Sequence, residues 1–186
     1  MTITPLQLVK EPLPILEDLP EGAIAFTEDL RQVGPLHVEG RAELLIEDRG
    51  RGEEVEDIRL RGAYSGRFEQ LCARCLEPVP EALEGGFDLI FRPEDADAVT
   101  GERAITEEET EIGYYEKSGL VLEDVLREQV LLTLPGRALC KDDCRGLCPQ
   151  CGKNRNLTLC GCETEHGDAR WSALAGFKVP TVEAKG

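Results

Sequence analysis

The residues with the clearest chemical potential are eight cysteines. Two lie mid-chain, and six lie close together near the end: Cys72 and Cys75, then Cys140, Cys144, Cys148, Cys151, Cys160 and Cys162. A Cys-x-x-Cys loop brings two sulfurs to one point, and structural zinc is held by four ligands in a tetrahedron. Eight cysteines make two sets of four. They predict one or two structural zinc ions.

The strongest single unit is Cys148-Pro149-Gln150-Cys151-Gly152, which is typical of a zinc-ribbon knuckle. Proline restricts the loop, and Gly152 can adopt the positive φ that turns backbone N–H groups towards the sulfurs. The upstream unit, Cys72-Ala73-Arg74-Cys75, is followed by Leu76 and therefore lacks the glycine.

Spacing leaves open which cysteines share an ion. The preferred pairing joins the two knuckles in one site and leaves the other four for a second: Cys72, Cys75, Cys148 and Cys151, then Cys140, Cys144, Cys160 and Cys162. The main rival is a local site made of Cys140, Cys144, Cys148 and Cys151. His166 could also replace a cysteine as a ligand.

Thiol–disulfide chemistry is the alternative to zinc, and the sequence disfavours it. A redox Cys-x-x-Cys pair of the thioredoxin kind sits in a βαβ setting, which neither pair here has. Other catalytic groups are sparse: there are two histidines, His37 and His166, and the sequence has no phosphate-binding glycine loop. A zinc with four cysteine ligands has no open position for water. The sequence therefore predicts neither an enzyme nor a small-molecule substrate.

Alternation of apolar and polar residues predicts the sheet that must position the cysteines. A first strand begins at Leu36, a second follows a turn at 48–52, and a third runs from about Val79 to Phe91. Polar residues between the apolar ones, Asp57 among them, would face solvent. Cys72 and Cys75 fall in the turn between the second and third strands. The predicted inward residues are Leu36, Val38, Ala42, Leu44 and Ile46, then Ile58, Leu60, Tyr64 and Phe68, then Leu83, Phe87 and Leu89.

These strands predict an antiparallel meander, curved into a partial barrel. Glycines inside the strands would mark bulges or bends that let the sheet curl, at Gly62, Gly66, Gly85 and Gly86. An amphipathic helix at 119–134 would cover the sheet and end before Pro135-Gly136. The predicted fold class is α+β.

The remaining segments predict less regular structure. Residues 1–34 should be a loosely held arm with an edge strand at Ala23–Phe26, and residues 93–118 a mobile acidic loop. A short final helix would run from Ala169 to about Phe177. We expect an acidic β-rich domain with its covering helix at 1–134 and a cysteine-rich zinc-binding module at 135–186.

Charge divides along the same boundary. The whole chain carries −16, but residues 135–186 hold eight Lys/Arg and six Asp/Glu, a balance of +2, which leaves −18 for residues 1–134. Each zinc held by four thiolates would add two negative charges to the basic end. The N-terminus has no basic segment followed by an apolar run, and charged residues interrupt the apolar stretch at 120–134. We therefore expect a cytoplasmic protein with no membrane partner.

The cysteine pattern with its flanks resembles the YceD family, the large ribosomal RNA subunit accumulation proteins of bacteria and plastids. The resemblance is carried by Cys72, Arg74 and Cys75, by Leu132 and Pro135, and by Gly146–Gly152 with Asn154, Asn156, Cys160 and Cys162. It covers the chain from about Leu36 to Leu174. The resemblance implies a role in the accumulation of large-subunit ribosomal RNA, hence in ribosome assembly, and no enzymatic activity.

On this resemblance, the leading hypothesis is a non-catalytic assembly factor that binds ribosomal RNA or a pre-ribosomal particle. The candidate RNA-binding residues are Arg137, Lys141, Arg145, Lys153, Arg155 and Arg170, with Trp171 available to stack on a base. Alternatively, these charges only offset the thiolates, and Trp171 belongs to the core. A second hypothesis is a zinc-stabilised interaction module whose acidic half docks a basic ribosomal protein. Metal storage or delivery is a third.

Overall fold

The computed structural model describes residues 1–50, 54–96 and 108–162, which form mostly β-sheet with few helices. A short 3-10 helix covers Glu108–Glu111. In chain order the elements are β1 (Thr2–Ile3), α1 (Pro5–Leu8), β2 (Leu13–Leu19), β3 (Leu30–Gln32), β4 (Leu36–Asp48), β5 (Glu54–Leu71), β6 (Pro78–Pro93), β7 (Ile112–Tyr115), β8 (Leu120–Val121) and α2 (Leu122–Thr133).

The antiparallel strands β4, β5 and β6 form the centre of a six-stranded sheet. The order is β2-β4-β5-β6-β7, with β3 paired to the far end of β5 and β7 running parallel to β6. The meander of three long strands is therefore confirmed. The sheet is not a closed barrel, and its curvature stays a prediction.

The predicted inward residues mostly form the core. Leu36, Val38, Ile58 and Leu60 are fully buried, as the alternation requires. Two details differ from the prediction. Ile46 is 57% exposed because the core ends before the end of β4, and Phe91 is buried in addition to Leu89, which is half-buried and packs against the core.

The N-terminal segment is part of the fold and not a loose arm. Its apolar residues Ile3, Leu8 and Ile15 are all buried in the core. Strand β2 pairs with β4 along its whole length, whereas the predicted edge strand at Ala23–Phe26 is irregular. The alternation of apolar and polar residues did not predict β2, because Ile15 is the single buried residue of this strand.

The acidic segment also contains regular structure. Ile112–Tyr115 forms β7, and the Tyr115 hydroxyl donates to the Glu56 carbonyl oxygen at 2.6 Å. The prediction of a mobile loop over 93–118 was therefore wrong at this end, because burial of Tyr115 outweighs the surrounding acidity. The predicted final helix, with Arg170 and Trp171, and the candidate ligand His166 before it lie outside the described residues.

The strand glycines make room for aromatic rings and do not mark bulges. The β4–β5 and β5–β6 ladders keep one continuous register, so the predicted bulges in these ladders are wrong. A Cβ on Gly85 would lie 2.7 Å from the hydroxyl oxygen of Tyr64, its partner across the strands. Gly113 gives the ring of Phe91 the same room.

Helix α2 falls inside the predicted range of 119–134 and ends just before Pro135. Its buried residues Leu122, Val125, Leu126 and Val130 belong to the same core as the sheet residues. The Tyr64 hydroxyl donates to the Gln129 carbonyl oxygen at 2.8 Å, which joins the last turns of the helix to β5. The start of the cysteine-rich segment is thereby fixed relative to the sheet, whereas the predicted domain boundary at 134/135 stays a prediction.

An ion pair is buried near the start of β5, at the end opposite to β3. Asp57, expected to face solvent, is 5% exposed and accepts two hydrogen bonds from Arg92, at 3.1 and 2.9 Å. Arg92 also contacts Glu47. Asp88 accepts a similar pair of bonds from Arg59, both at 2.8 Å, but these side chains are 46% and 33% exposed.

Because the two ion pairs differ in burial, replacing the aspartate of each by alanine should lower the free energy of unfolding by different amounts. Asp57→Ala should lower the free energy of unfolding by about 3 kcal/mol, because it leaves a buried guanidinium without its main partner. Asp88→Ala should lower it far less, because water replaces the lost carboxylate. Urea unfolding of both variants tests this. Equal losses of stability in the two variants would show that burial does not strengthen the dependence of Arg92 on Asp57.

Candidate metal centres

The eight cysteines form two groups of four, and neither predicted pairing is correct. All four Sγ atoms in each group lie within 4.8 Å of one another. The first group consists of Cys72, Cys75, Cys140 and Cys144, and the second of Cys148, Cys151, Cys160 and Cys162. Each group therefore combines one Cys-x-x-Cys knuckle with a differently spaced pair.

The path of the chain after α2 explains the observed pairing. On leaving the helix, the chain runs directly beside the turn between β5 and β6, where the Ala73 N–H donates to the Ala138 carbonyl oxygen at 2.9 Å. Cys140 and Cys144 therefore reach Cys72 and Cys75 before the second knuckle begins. That knuckle is left to pair with the cysteines that follow it.

The first group is the more buried of the two. Cys72, Cys75 and Cys144 are each less than 5% exposed and pack with Val79, Leu139 and Leu147 in a small apolar cluster of their own. In the second group only Cys148 is buried, Cys151 is exposed, and Cys160 and Cys162 are intermediate. Cys140, the fourth member of the first group, is exposed, so the first group is buried at three of its four cysteines and the second at one.

Both knuckles use the same backbone hydrogen bonds. The Cys72 N–H donates to the Glu77 carbonyl oxygen, and the Leu76 N–H donates to the Cys72 carbonyl oxygen, at 2.9 and 3.0 Å. In the second knuckle the Cys148 N–H donates to the Lys153 carbonyl oxygen at 2.9 Å, and the Gly152 N–H donates to the Cys148 carbonyl oxygen at 2.8 Å. The absence of a glycine therefore did not prevent the upstream turn from folding as a knuckle.

Leu76 adopts the conformation that the glycine supplies in the other knuckle. Its φ is 61°, against 70° for Gly152, and it is the single non-glycine residue with positive φ in the described part of the chain. A side chain disfavours this region because its Cβ crowds the following carbonyl oxygen, at a cost of about 1–2 kcal/mol. The surrounding metal-site geometry must therefore hold Leu76 in place.

Backbone N–H groups favour ionisation of the first cysteine of each knuckle. The Cys140 N–H lies 3.4 Å from Cys72 Sγ and, with the N–H groups of Arg74 and Cys75, lowers the pKa of the Cys72 thiol to about 6. The N–H groups of Cys151 and Gln150 likewise lower the pKa of Cys148 to about 6. Cys72 and Cys148 are thus favoured near neutral pH as thiolates, which is the form that binds a metal cation.

The sulfur distances fit a tetrahedral ion and exclude disulfides. Zinc with four thiolates at about 2.3 Å requires sulfurs about 3.8 Å apart. Cys72 and Cys144 Sγ are 3.9 Å apart, and Cys75 and Cys140 Sγ are 3.5 Å apart. A disulfide would bring two sulfurs to about 2.05 Å. In the second group the four Sγ atoms also lie within 4.8 Å of one another, so both groups could hold a metal ion.

The side chains of Arg74 and Asn156 both bond to the segment from Cys140 to Cys144, which the sequence did not predict. The Arg74 guanidinium lies between the halves of the first group and donates to the carbonyl oxygens of Asp142 and Cys144, at 3.1 and 2.9 Å. Asn156 Nδ2 donates to Cys144 Sγ at 3.2 Å, although Asn156 lies in the loop of the second group. Their place in the cysteine motifs was a signal, but spacing alone could not assign them a role.

Comparison with known proteins identifies the family of this chain. Residues 60–178, more than half of the chain, match the family model described as large ribosomal RNA subunit accumulation protein YceD. The chain belongs to the YceD family. The family resemblance noted from the sequence is thereby confirmed. The family description refers to accumulation of large-subunit ribosomal RNA and names no reaction.

The chain is also similar to individual mycobacterial proteins whose names give no activity. Uncharacterized proteins of Mycobacterium bovis and Mycobacterium tuberculosis are 34% identical over 125 residues, which is 67% of this chain and 58% of their own length. One from Mycobacterium leprae is 28% identical over 128 residues, covering 68% of this chain and 56% of the relative. The chain thus spans less than two thirds of the length of these relatives. No solved structure matches it.

The predicted basic residues of this YceD-family chain are exposed around the two groups. Five of them, Arg137, Lys141, Arg145, Lys153 and Arg155, lie in described segments. Among the described residues, Lys141 alone of these forms an ion pair, a long one of 3.8 Å with Asp143. Arg170 lies outside the described residues. In the part of the chain that the structure describes, no helix is long and apolar enough to cross a membrane.

The observed pairing predicts how many zinc ions each double cysteine variant loses. Cys75→Ser with Cys144→Ser should remove one of two ions, because both cysteines belong to the first group. Cys75→Ser with Cys151→Ser should remove both, because it opens each group. Zinc per chain, measured by elemental analysis of purified protein, tests this. Loss of both ions in the first variant and of one ion in the second would instead support the pairing that joins the two Cys-x-x-Cys knuckles in one site.

The strained φ of Leu76 predicts that a glycine stabilises the first knuckle. Leu76→Gly should raise the free energy of unfolding of the zinc-loaded chain by about 1 kcal/mol, whereas Leu76→Ala keeps the strain and should change little. Gly152→Ala should cost about 1 kcal/mol, because its Cβ would meet no atom within 4 Å and φ is the single penalty. Chemical denaturation measures all three. A loss of stability in Leu76→Gly would contradict the strain.

Proposed function

We propose that this chain is a non-catalytic factor in biogenesis of the large ribosomal subunit. In this proposal it acts in the cytoplasm, holds two structural zinc ions in its cysteine groups, and binds large-subunit ribosomal RNA or a nascent particle. The observation that carries the proposal is the match to the YceD family model over residues 60–178, whose description concerns accumulation of that RNA.

The cations around the cysteines support RNA as the partner. Arg137, Arg145, Lys153 and Arg155 are exposed and form no ion pair with described residues, so their charges are available to phosphates. Ion pairs with nearby carboxylates would be expected if their role were to neutralise protein charge. The thiolates also attract these cations. Backbone N–H groups, however, already donate to the thiolates of Cys72 and Cys148, and the Asn156 amide donates to that of Cys144.

The donor set supports zinc in a structural role. Four sulfurs per ion are the ligands that zinc prefers in structural sites, and a complete set leaves no position for a substrate or a reactive water. Each ion would tie a knuckle to a second pair of cysteines from another part of the chain. The first would fix the β5–β6 turn to the segment after α2, and the second would close the loop that presents Lys153 and Arg155.

A second candidate function is docking of a basic ribosomal protein by the acidic half. The observation that favours it is a cavity of about 450 Å³ between β7 and α2, lined by carboxylates and aromatic rings: Glu94, Glu116, Asp124, Glu128, Phe91, Tyr114 and Tyr115. Carboxylates beside aromatic faces suit a lysine or arginine side chain. In this reading, the chain would bind such a protein without RNA.

The RNA proposal is tested by neutralising three cations in one step. The combined variant Arg145→Ala, Lys153→Ala and Arg155→Ala should weaken binding to large-subunit ribosomal RNA at low salt. It should also reduce the slope of log affinity against log salt by about two to three, because three phosphate contacts are lost. Binding to RNA fragments across a salt series measures both quantities.

The matched control removes the same charge from the acidic half. Lys10→Ala, Arg31→Ala and Lys117→Ala change exposed cations outside the cysteine-rich segment and should leave RNA binding unaltered; Arg31 and Lys117 form surface ion pairs with Glu69 and Asp95. Equal affinity of the two triple variants would reject the assignment of the basic residues. Binding of a purified basic ribosomal protein, with none of RNA, would favour the second candidate.

A further inference from the structure

The loop of the second cysteine group rests on a ligand segment of the first. The Leu147 N–H donates to the Arg74 carbonyl oxygen at 3.0 Å, which places the chain between the two groups against the first knuckle. The Arg155 N–H donates to the Gly146 carbonyl oxygen at 2.9 Å, which folds the loop between Cys151 and Cys160 back onto that chain. Neither group can therefore be rearranged without disturbing the other's surroundings.

Asn156 is the side chain that crosses between them. Its Oδ1 accepts a hydrogen bond from the Arg145 N–H at 2.9 Å, and its Nδ2 donates to Cys144 Sγ at 3.2 Å and to Asn154 Oδ1 at 3.0 Å. Asn154 Nδ2 in turn donates to Glu77 Oε1, beyond the first knuckle, at 3.1 Å. These partners fix the orientation of the Asn156 amide, because a flipped amide would turn its oxygen towards the sulfur.

The bond from Asn156 should strengthen metal binding by the first group. A donor to a thiolate ligand stabilises the negative charge that four thiolates place around the ion, and loss of such a partner commonly costs about 10–100-fold in metal affinity. The position of Asn156, however, depends on the loop that starts after Cys151 and ends at Cys160. A metal ion in the second group closes this loop and lowers the entropy lost in presenting the amide.

We propose that Asn156 couples the two metal centres, so that an ion in the second group increases the zinc affinity of the first. Linkage requires the reverse effect to be equal, so zinc loading is positively cooperative. Asn156 is a positioning residue in this scheme, since it contacts a ligand and not the ion. The inference rests on the zinc binding of the proposed function, and it is independent of RNA.

The experiment is a double-mutant cycle on the full-length chain, read out by zinc affinity of the first group. Zinc is titrated in competition with a chromophoric chelator, with the second group intact or removed by Cys148→Ser and Cys151→Ser. Removing it should weaken the first group by about 10-fold in the parent chain. In the Asn156→Ala background, where affinity is already lower, removing it should have little further effect.

Two further variants control for the substitution itself. Asn156→Asp keeps the acceptor for the Arg145 N–H but presents a carboxylate to Cys144, so it should weaken the first group at least as much as Asn156→Ala. Leu157→Ala, an exposed and uncharged neighbour in the same loop, should leave both affinity and coupling unchanged. A loss of coupling in Leu157→Ala would overturn the assignment to Asn156.

A measurement on the unsubstituted chain covers the case in which a variant does not fold. With ¹¹³Cd in place of zinc, NMR should detect a coupling between a side-chain amide proton of Asn156 and the metal of the first group. Its absence, or undiminished cooperativity in Asn156→Ala, would overturn the inference while leaving zinc binding intact. A parent chain that binds no zinc would instead reject the proposed metal, and this inference with it.

Discussion

The arrangement of the tail depends on one constraint, the convergence of four thiolates from two distant parts of the chain. Cys72 and Cys75 lie at the tip of the longest hairpin, and Cys140 and Cys144 follow the helix that packs on the same core. Four sulfurs at tetrahedral spacing repel one another as thiolates unless a cation neutralises them. Metal binding would therefore join sheet, helix and tail, and would leave the second knuckle to form its own site beside the first.

The two groups differ in burial, and that difference suits different tasks. The first is enclosed by Val79, Leu139 and Leu147, and it anchors the tail to the sheet. The second lies at the surface, in the loop that exposes Lys153 and Arg155. The hydrogen bonds from the Leu147 N–H to the Arg74 carbonyl oxygen and from Asn156 to Cys144 join the two groups into one unit, so the sheet supports a surface made of short loops.

Much of the scaffold follows from local patterns, and the pairing of the cysteines does not. Alternation along β4, β5 and β6 identified the long strands because one face of each is buried, and helical spacing identified α2. Spacing could not decide the sulfur partners, since that depends on where Pro135 and Gly136 direct the chain after the helix. Leu76 shows the same limit: tertiary structure imposes a φ of 61° that its side chain disfavours. Asp57 was misplaced because its partner, Arg92, comes from another strand.

The most direct test of RNA binding is ultraviolet crosslinking of the chain to RNA in living cells, with sequencing of the RNA and mass spectrometry of the crosslinked peptides. A chain that binds ribosomal RNA through its basic residues should be crosslinked to large-subunit ribosomal RNA, with the crosslinks in the segment 137–155. Recovery of the protein without RNA, or crosslinks confined to the acidic sheet, would contradict this prediction.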